Sequence, residues 1–289
     1  MGKIKVADFD IRYTVESAQP LTFFGDIHEE GKRVDYVSEF RKFEVRQHKD
    51  SLEYFALPKI SEQKAREEIV RRFGLNDNMQ KIYEAIATDQ FLVESIEKYP
   101  GMRITRNDPW ETTVCFVMSQ FNNVKRIRGI VKKLIEVHGE RRSFEHNGRE
   151  IVVRSFPTPE TFANLSVKEI MKCGTGFRGK YIKGIAQQCV DGFDLYKLEG
   201  KKYEHIKEEL MTLPGIGDKV ADCILLMGYE KLEAFPVDTW IKRIVERVYF
   251  KGKVQSIKTI HKFAEERWGK DGGYAQQYLF WRGRSLKLK

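Results

Sequence analysis

Two hydrophobic textures divide the chain. Before Ser61, residues 11–15, 33–36, 43–46 and 52–57 form short runs rich in aromatic and β-branched side chains, separated by turns of Gly, Asp and Glu. That pattern predicts strands of an antiparallel sheet. From Ser61 the texture changes: Ser61 with Lys64, Ile69 and Phe73 starts a helical rhythm, and Asn76 to Tyr83 begins another. After Gly101 the pattern is mainly helical. Asp108-Pro109-Trp110-Glu111 reads as a helix start, with an Asp N-cap and Pro in the first turn. The stripe Val114, Phe116, Val117, Met118 and Phe121 follows it. Residues 124–137 are amphipathic, with Ile127, Ile130, Val131, Leu134 and Ile135 opposite Lys125, Arg126, Arg128, Lys132 and Lys133.

Further helices are predicted over 159–163, 167–172, 179–189, 203–211, 219–227, 239–248, 257–267 and 274–281. No internal repeat or low-complexity linker interrupts them. The expected fold is α+β. An N-terminal antiparallel sheet with flanking helices covers 1–100, and a mostly helical region covers 101–289, with a helical hairpin at 203–228 and a C-terminal helix at 274–281.

Composition narrows the function classes. The 289 residues are 41% hydrophobic and 12% aromatic, as in a globular protein. Lys and Arg number 51 against 42 acids, a net charge of +9 that favours polyanionic partners through counterion release. Cys115, Cys173, Cys189 and Cys223 are widely spaced, which argues against a zinc site or an iron–sulfur cluster and for reduced thiols inside a cell. The first ten residues carry Lys3, Lys5, Asp8 and Asp10, so they hold no apolar signal core, and the apolar runs are too short to cross a bilayer. The expectation is a soluble protein, cytoplasmic and nucleoid-associated or nuclear. The tail carries Arg282, Arg284, Lys287 and Lys289 without an acid, suited to fraying or to touching phosphate.

The informative stretch is Leu213-Pro214-Gly215-Ile216-Gly217-Asp218-Lys219-Val220-Ala221-Asp222-Cys223. A helix runs into Pro214, Gly215 and Gly217 permit a tight turn, and a second helix begins near Asp218. Glycines let backbone approach a partner closely, and the free N–H groups of the second helix form an anion site. Leu213 and Ile216 are expected to pack inside and hold the hairpin together. Such an element grips a DNA phosphate without reading sequence; the plainer reading is a Pro-Gly joint between two helices.

Lys219 lies in the first turn, where the positive end of the helix dipole disfavours a cation and favours the neutral amine that a nucleophile needs. A lysine there also suits a simple phosphate contact, and position alone leaves both readings open. Asp238 lies 238 − 219 = 19 positions on, after Phe235-Pro236-Val237 and before Thr239-Trp240, where it reads as the N-cap of the next helix. One helix and a return loop suffice to bring it beside the lysine. A carboxylate there can assist deprotonation and stabilise positive charge developing at C1′ of a deoxyribose.

With these residues the chain resembles the helix-hairpin-helix DNA glycosylases, and within them the 8-oxoguanine DNA glycosylases and abasic-site lyases. LPGIGDKVADCILLMG followed by FPVD carries the resemblance, and DPWETTVCFVMSQFNNVKRIRGIV, CGTGFRGKYI and YAQQYLF extend it. The resemblance implies base flipping, attack of Lys219 on C1′, a Schiff base, and β-elimination of the 3′ phosphate, with Asp238 as the carboxylate. It implies a lesion pocket made by Cys223, Phe280 and Gln276. On sequence grounds alone the first two would be core residues and Gln276 a solvated one. It maps Asn122, Asn123, Arg126, Phe177 and Arg178 to the strip that fills the vacated space and contacts the orphaned cytosine, with Phe177 as the wedge. It places a structural monovalent or divalent cation at the carbonyls of Met211, Leu213 and Ile216, with no catalytic metal and no other cofactor.

The chain also departs from that pattern. Phe121 stands where the family has an asparagine, and Trp240 where eukaryotic members have a histidine. The family's N-terminal lesion-sensing turn corresponds only to Ala18-Gln19-Pro20-Leu21. The expected partner is damaged double-stranded DNA, bound by a monomer with no membrane. The competing readings are a related glycosylase for another damaged base, and a helix-hairpin-helix DNA-binding protein without catalysis.

Overall fold

The computed structural model describes residues 1–17, 19, 22 and 33–286. Strands β1 (Gly2–Lys5), β2 (Arg33–Ser38), β3 (Arg41–Gln47) and β4 (Ser51–Leu57) form an antiparallel sheet in the order β1-β4-β3-β2. Alternation places Val34, Tyr36, Phe43, Val45, Leu52 and Tyr54 on the buried face. Tyr36 stands opposite Phe43, and their rings stack at 5.0 Å. Helix α2 (Glu62–Arg72) covers this face through Ala65 and Ile69, with Phe73 at its end.

Residues 11–15 are helical, where a strand was expected. Helix α1 (Ile11–Glu16) starts on Asp10, whose carboxylate accepts the Tyr13 N–H at 2.9 Å. Its buried residues Ile11, Thr14 and Val15 fall at helical spacing, a pattern too short to tell from alternation by sequence. The first strand is instead β1, which pairs with β4.

The rest of the chain builds a second core. Helices α3 (Met79–Ile86), α4 (Gln90–Lys98), α5 (Pro109–Val117) and α6 (Val124–His138) are followed by a hairpin of β5 (Arg141–His146) and β6 (Arg149–Arg154). The sequence reading had no strands here. Most of the hairpin's side chains are at least partly exposed and polar, so hydrophobic alternation is weak. The signal lay in Asn147-Gly148, whose φ values of 53° and 70° suit a tight two-residue turn. Then come α7 (Pro159–Asn164), α8 (Val167–Ile170), α9 (Arg178–Val190), α10 (Tyr203–Met211), α11 (Asp218–Gly228), α12 (Thr239–Tyr249), α13 (Ile257–Trp268) and α14 (Gly272–Ser285). The predicted helices at 203–211, 219–227 and 239–248 agree with these within a residue or so. The last helix is longer than predicted at both ends, and Arg282 near its C-terminus pairs with Glu94 of α4 at 2.8 Å.

Helix α11 runs through this core, with every residue from Val220 to Met227 buried. Buried arginines join this core to the segments that follow β1 and α2. Arg103 donates to the carbonyls of Asp8 and Gly74 at 3.2 and 3.1 Å, and Arg106 pairs with Asp77 at 2.8 Å. Tyr274 of α14 donates to the same Asp77. These guanidinium groups are tolerated inside because their donors are met.

Candidate active site

Helices α10 and α11 meet in the expected hairpin. Leu213 and Ile216 are buried, and the Ile216 N–H reaches the Leu213 carbonyl at 3.2 Å, which closes the turn. Gly215 has φ +81°, and a Cβ there would lie 2.5 Å from Cγ of Tyr181, so the position excludes any side chain. Its carbonyl accepts from Gln120 at 2.9 Å. Gly217 is exposed at the N-cap of α11, and nothing in the described protein lies within 4 Å of a Cβ built there. No side chain caps this helix, so the N–H groups of its first turn remain for an outside acceptor.

Lys219 leaves the first turn of α11 into a cleft of about 180 Å³ that Asp238 also lines. Its Nζ donates to the Ser119 hydroxyl at 3.0 Å and sits 5.6 Å above the Phe116 ring. Asp238 enters from the start of α12, where its carboxylate accepts the Ile241 N–H at 2.8 Å. The cap holds Oδ1 in place and leaves Oδ2 for other work. The two side chains share the cleft without forming an ion pair.

Cys223, Phe280 and Gln276 line the same cleft. Cys223 lies one turn along from Lys219 and is buried. Burial pushes its thiol up to about 11, against the pull of the Lys219 ammonium. It therefore presents a neutral, polarizable wall rather than a second nucleophile. Phe280 is half-buried, with the Arg284 guanidinium 5.3 Å from its ring. Gln276 is buried rather than solvated: α14 turns this face inward. Its Nε2 donates to the Pro236 carbonyl at 3.2 Å, while its Oε1 is buried and unpartnered among the described residues. A buried amide oxygen without a donor is costly, and a ligand N–H would relieve it.

The rim is built from the loop between α5 and α6. Asn122 and Asn123 line the cleft and also shape the loop. Asn122 Nδ2 donates to the Met118 carbonyl at 3.1 Å, and Asn123 caps α6 through the Arg126 N–H at 3.0 Å. Arg126 is exposed. Phe177 is 44% exposed at the start of α9, edge-on to Tyr181. Arg178 differs from expectation. It is only 4% exposed, and its guanidinium donates to the carbonyls of Gln120 (2.7 Å), Phe121 (3.0 Å) and Thr175 (3.3 Å). In this arrangement it is a clamp between α9 and the loop, not an open donor.

A second charged group lies behind α11. Lys207 pairs with Asp218 at 2.7 Å and with the fully buried Asp222 at 2.8 Å, and Tyr203 donates to Asp222 at 2.6 Å. Burial alone would weaken the Lys207 charge, but Asp222 and the hydrogen bonds hold its pKa above the ordinary value. Asp218, Asp222 and His261 lie close enough to ligate a metal, yet the Lys207 ammonium already supplies the positive charge there.

Sequence reasoning missed Ser119 and Gln120, which no local pattern marks. They contact Lys219 and Gly215 from 100 and 95 positions away. Of the N-terminal turn, Gln19 is buried and accepts the Thr105 N–H at 3.0 Å. Ala18, Pro20 and Leu21 lie outside the described residues, as do Lys287 and Lys289. No described helix is long and apolar enough to cross a membrane.

Known proteins resemble this chain over most of its length. A probable N-glycosylase/DNA lyase of Methanothermobacter thermautotrophicus is 27% identical, over 96% of this chain and 94% of its own. The structure of MBOgg1 in complex with a low-affinity DNA ligand superimposes with a TM-score of 0.89 at 33% identity, covering 99% of this chain and 96% of that one. The Clostridium acetobutylicum 8-oxoguanine glycosylase/lyase, bound to DNA with cytosine opposite the lesion, gives 0.86 at 26% identity, with 99% of each chain covered. Residues 3–113 match the 8-oxoguanine DNA glycosylase N-terminal domain. Residues 114–270, which hold the hairpin, Lys219 and Asp238, match the HhH-GPD superfamily of base excision DNA repair proteins, and the chain belongs to that family.

Proposed function

We infer that this chain is a bifunctional DNA glycosylase and abasic-site lyase that removes 8-oxoguanine from duplex DNA. The observation that carries the reading is the convergence of Lys219 and Asp238 in one cleft at the end of a phosphate-binding hairpin. The relatives' activities, and the DNA in two of the matching structures, support it.

The chemistry follows from the positions. A phosphate of the DNA docks on the uncapped start of α11, where Gly217 leaves room for it. The damaged nucleotide turns out of the duplex, because C1′ is otherwise out of reach. Its base lies between Cys223 and Phe280, and Gln276 Oε1 accepts from an N–H on its edge. The neutral Lys219 amine attacks C1′. The C1′–N bond to the lysine forms as the glycosidic bond breaks, and the base leaves with the bonding electrons. Asp238 stabilises positive charge at C1′ and takes part in moving the Nζ proton to the departing base. Opening of the sugar C1′–O4′ bond gives the iminium. Loss of a C2′ proton then expels the 3′ phosphate by cleavage of C3′–O3′, and hydrolysis frees the lysine.

Hard oxygen donors at Met211, Leu213 and Ile216 are the expected seat of a structural cation that steadies the hairpin against DNA. The protein acts as a monomer on damaged duplex DNA, in the cytoplasm with the nucleoid or in a nucleus. Borohydride trapping on a duplex with 8-oxoguanine opposite cytosine tests the reading. A covalent adduct is expected from the native protein and none from Lys219→Gln. Binding without an adduct on any lesion would leave a non-catalytic DNA-binding protein.

A further inference from the structure

Phe121 is the most exposed described aromatic residue, at 94%, and its φ is +47°. A bulky side chain with left-handed backbone is a conformational outlier, and an exposed ring gains nothing from burial. Neither feature favours folding, and both persist because the loop around the residue is tied down. Arg178 donates to the Gln120 and Phe121 carbonyls, and its guanidinium lies 4.5 Å over the ring of Phe177, the rim's other exposed aromatic. Gln120 fastens the loop to the hairpin at Gly215 O, and Ser119 fastens it to the Lys219 amine. One clamp therefore fixes two outward rings, on a loop that also touches the phosphate-binding turn and the nucleophile. Lys125, Arg126 and Lys180 are exposed beside them, so the surface suits a polyanion.

We propose that Phe121 is a second wedge, which enters the duplex with Phe177 and stacks on the base left without a partner when the damaged nucleotide leaves. Strain held at an exposed site is explained by a role outside the folded chain. The proposal rests on the glycosylase reading and adds a consequence for specificity. Stacking offers the same face to every base, whereas an amide side chain selects through hydrogen bonds. An aromatic at position 121 accepts any orphan base, so excision should depend only weakly on which base lies opposite the lesion. Arg178 is a positioning residue in this scheme.

The test uses native protein, Phe121→Ala and Phe121→Asn. 2-Aminopurine opposite a tetrahydrofuran abasic analogue reports stacking of the orphan base without requiring chemistry. A binding-dependent fluorescence change is expected from native protein and lost in Phe121→Ala. On 8-oxoguanine duplexes, Phe121→Ala should lose about tenfold more activity than it loses on a preformed abasic site, the scale of one base–aromatic stack. Phe121→Asn relieves the backbone strain, so it should melt no lower than native while favouring cytosine over adenine opposite the lesion more strongly. Unchanged fluorescence in Phe121→Ala, or equal losses on both substrates, would overturn the wedge. A native protein that shows the Phe121-dependent fluorescence but traps no lesion would instead overturn the glycosylase reading.

Discussion

Two lysines meet helix α11 in opposite ways. Lys207, behind the helix, lies 2.7 and 2.8 Å from the carboxylates of Asp218 and Asp222, and its charge is locked in. Lys219, at the front, has a neutral hydroxyl partner at 3.0 Å, while the aspartate that shares its cleft accepts an N-cap bond through one oxygen and does not pair with it. A buried ion pair holds a proton firmly; a nucleophile has to give one up. In the proposed mechanism the same two residue types therefore serve as a brace on one side of the helix and as chemistry on the other. The structural difference is that ammonium and carboxylate touch on one side only.

This contrast can be broken by substitution. The largest effect is expected for Asp238→Asn, which keeps an acceptor for the Ile241 N–H and removes the charge. Excision should slow by about 10²–10⁴-fold, the range for positioned acid–base groups, while the Kd for uncleavable DNA changes little. Equal losses in rate and binding would reduce Asp238 to a cap. Next comes Lys207→Met, which strands the Asp222 carboxylate in the core. Denaturant unfolding should show a loss of about 3 kcal/mol, with most of it returned in Lys207→Met/Asp222→Asn. If the folded single variant had lost borohydride trapping but not stability, the division between brace and chemistry would fail.

A smaller change is expected for Ser119→Ala, which removes the hydrogen bond that aims Lys219. It should cost about 1 kcal/mol, seen as a several-fold fall in single-turnover rate with an unchanged adduct site. The smallest concerns Cys223. Because burial pushes its thiol up to about 11, it stays protonated at pH 8, and iodoacetamide should label it in unfolded protein only. Labelling of the folded protein at pH 8, seen by peptide mass spectrometry, would show a thiolate in the cleft.

Much of the site was legible because its signals are local. The Pro-Gly turn, the buried Leu213 and Ile216, and the cap at Asp238 each depend on neighbours a few positions away. Residues 11–15 misled for the same reason: a short β-branched run fits a strand, and only Asp10 and the burial of Ile11, Thr14 and Val15 select the helix. The β5–β6 hairpin was missed because its side chains are too polar to alternate visibly, although Asn147-Gly148 announced the turn. Gln276 misled differently. A polar residue on a helix predicts solvent, and its burial depends on how α14 lies against the rest of the core.

By itself the sequence determined the α+β division, the hairpin, the lysine in the first turn of α11 and the aspartate heading α12. These follow from periodicity, capping and backbone freedom, which act over a few residues. Only the tertiary structure decided that Lys219 rests on Ser119 rather than on Asp238, and that Gln276 is a buried cleft residue with an unpartnered amide oxygen. It also turned Arg178 from an expected base contact into the clamp behind Phe121. Those outcomes join residues 40 to 100 positions apart. They depend on how helices pack, and no short stretch of sequence carries that.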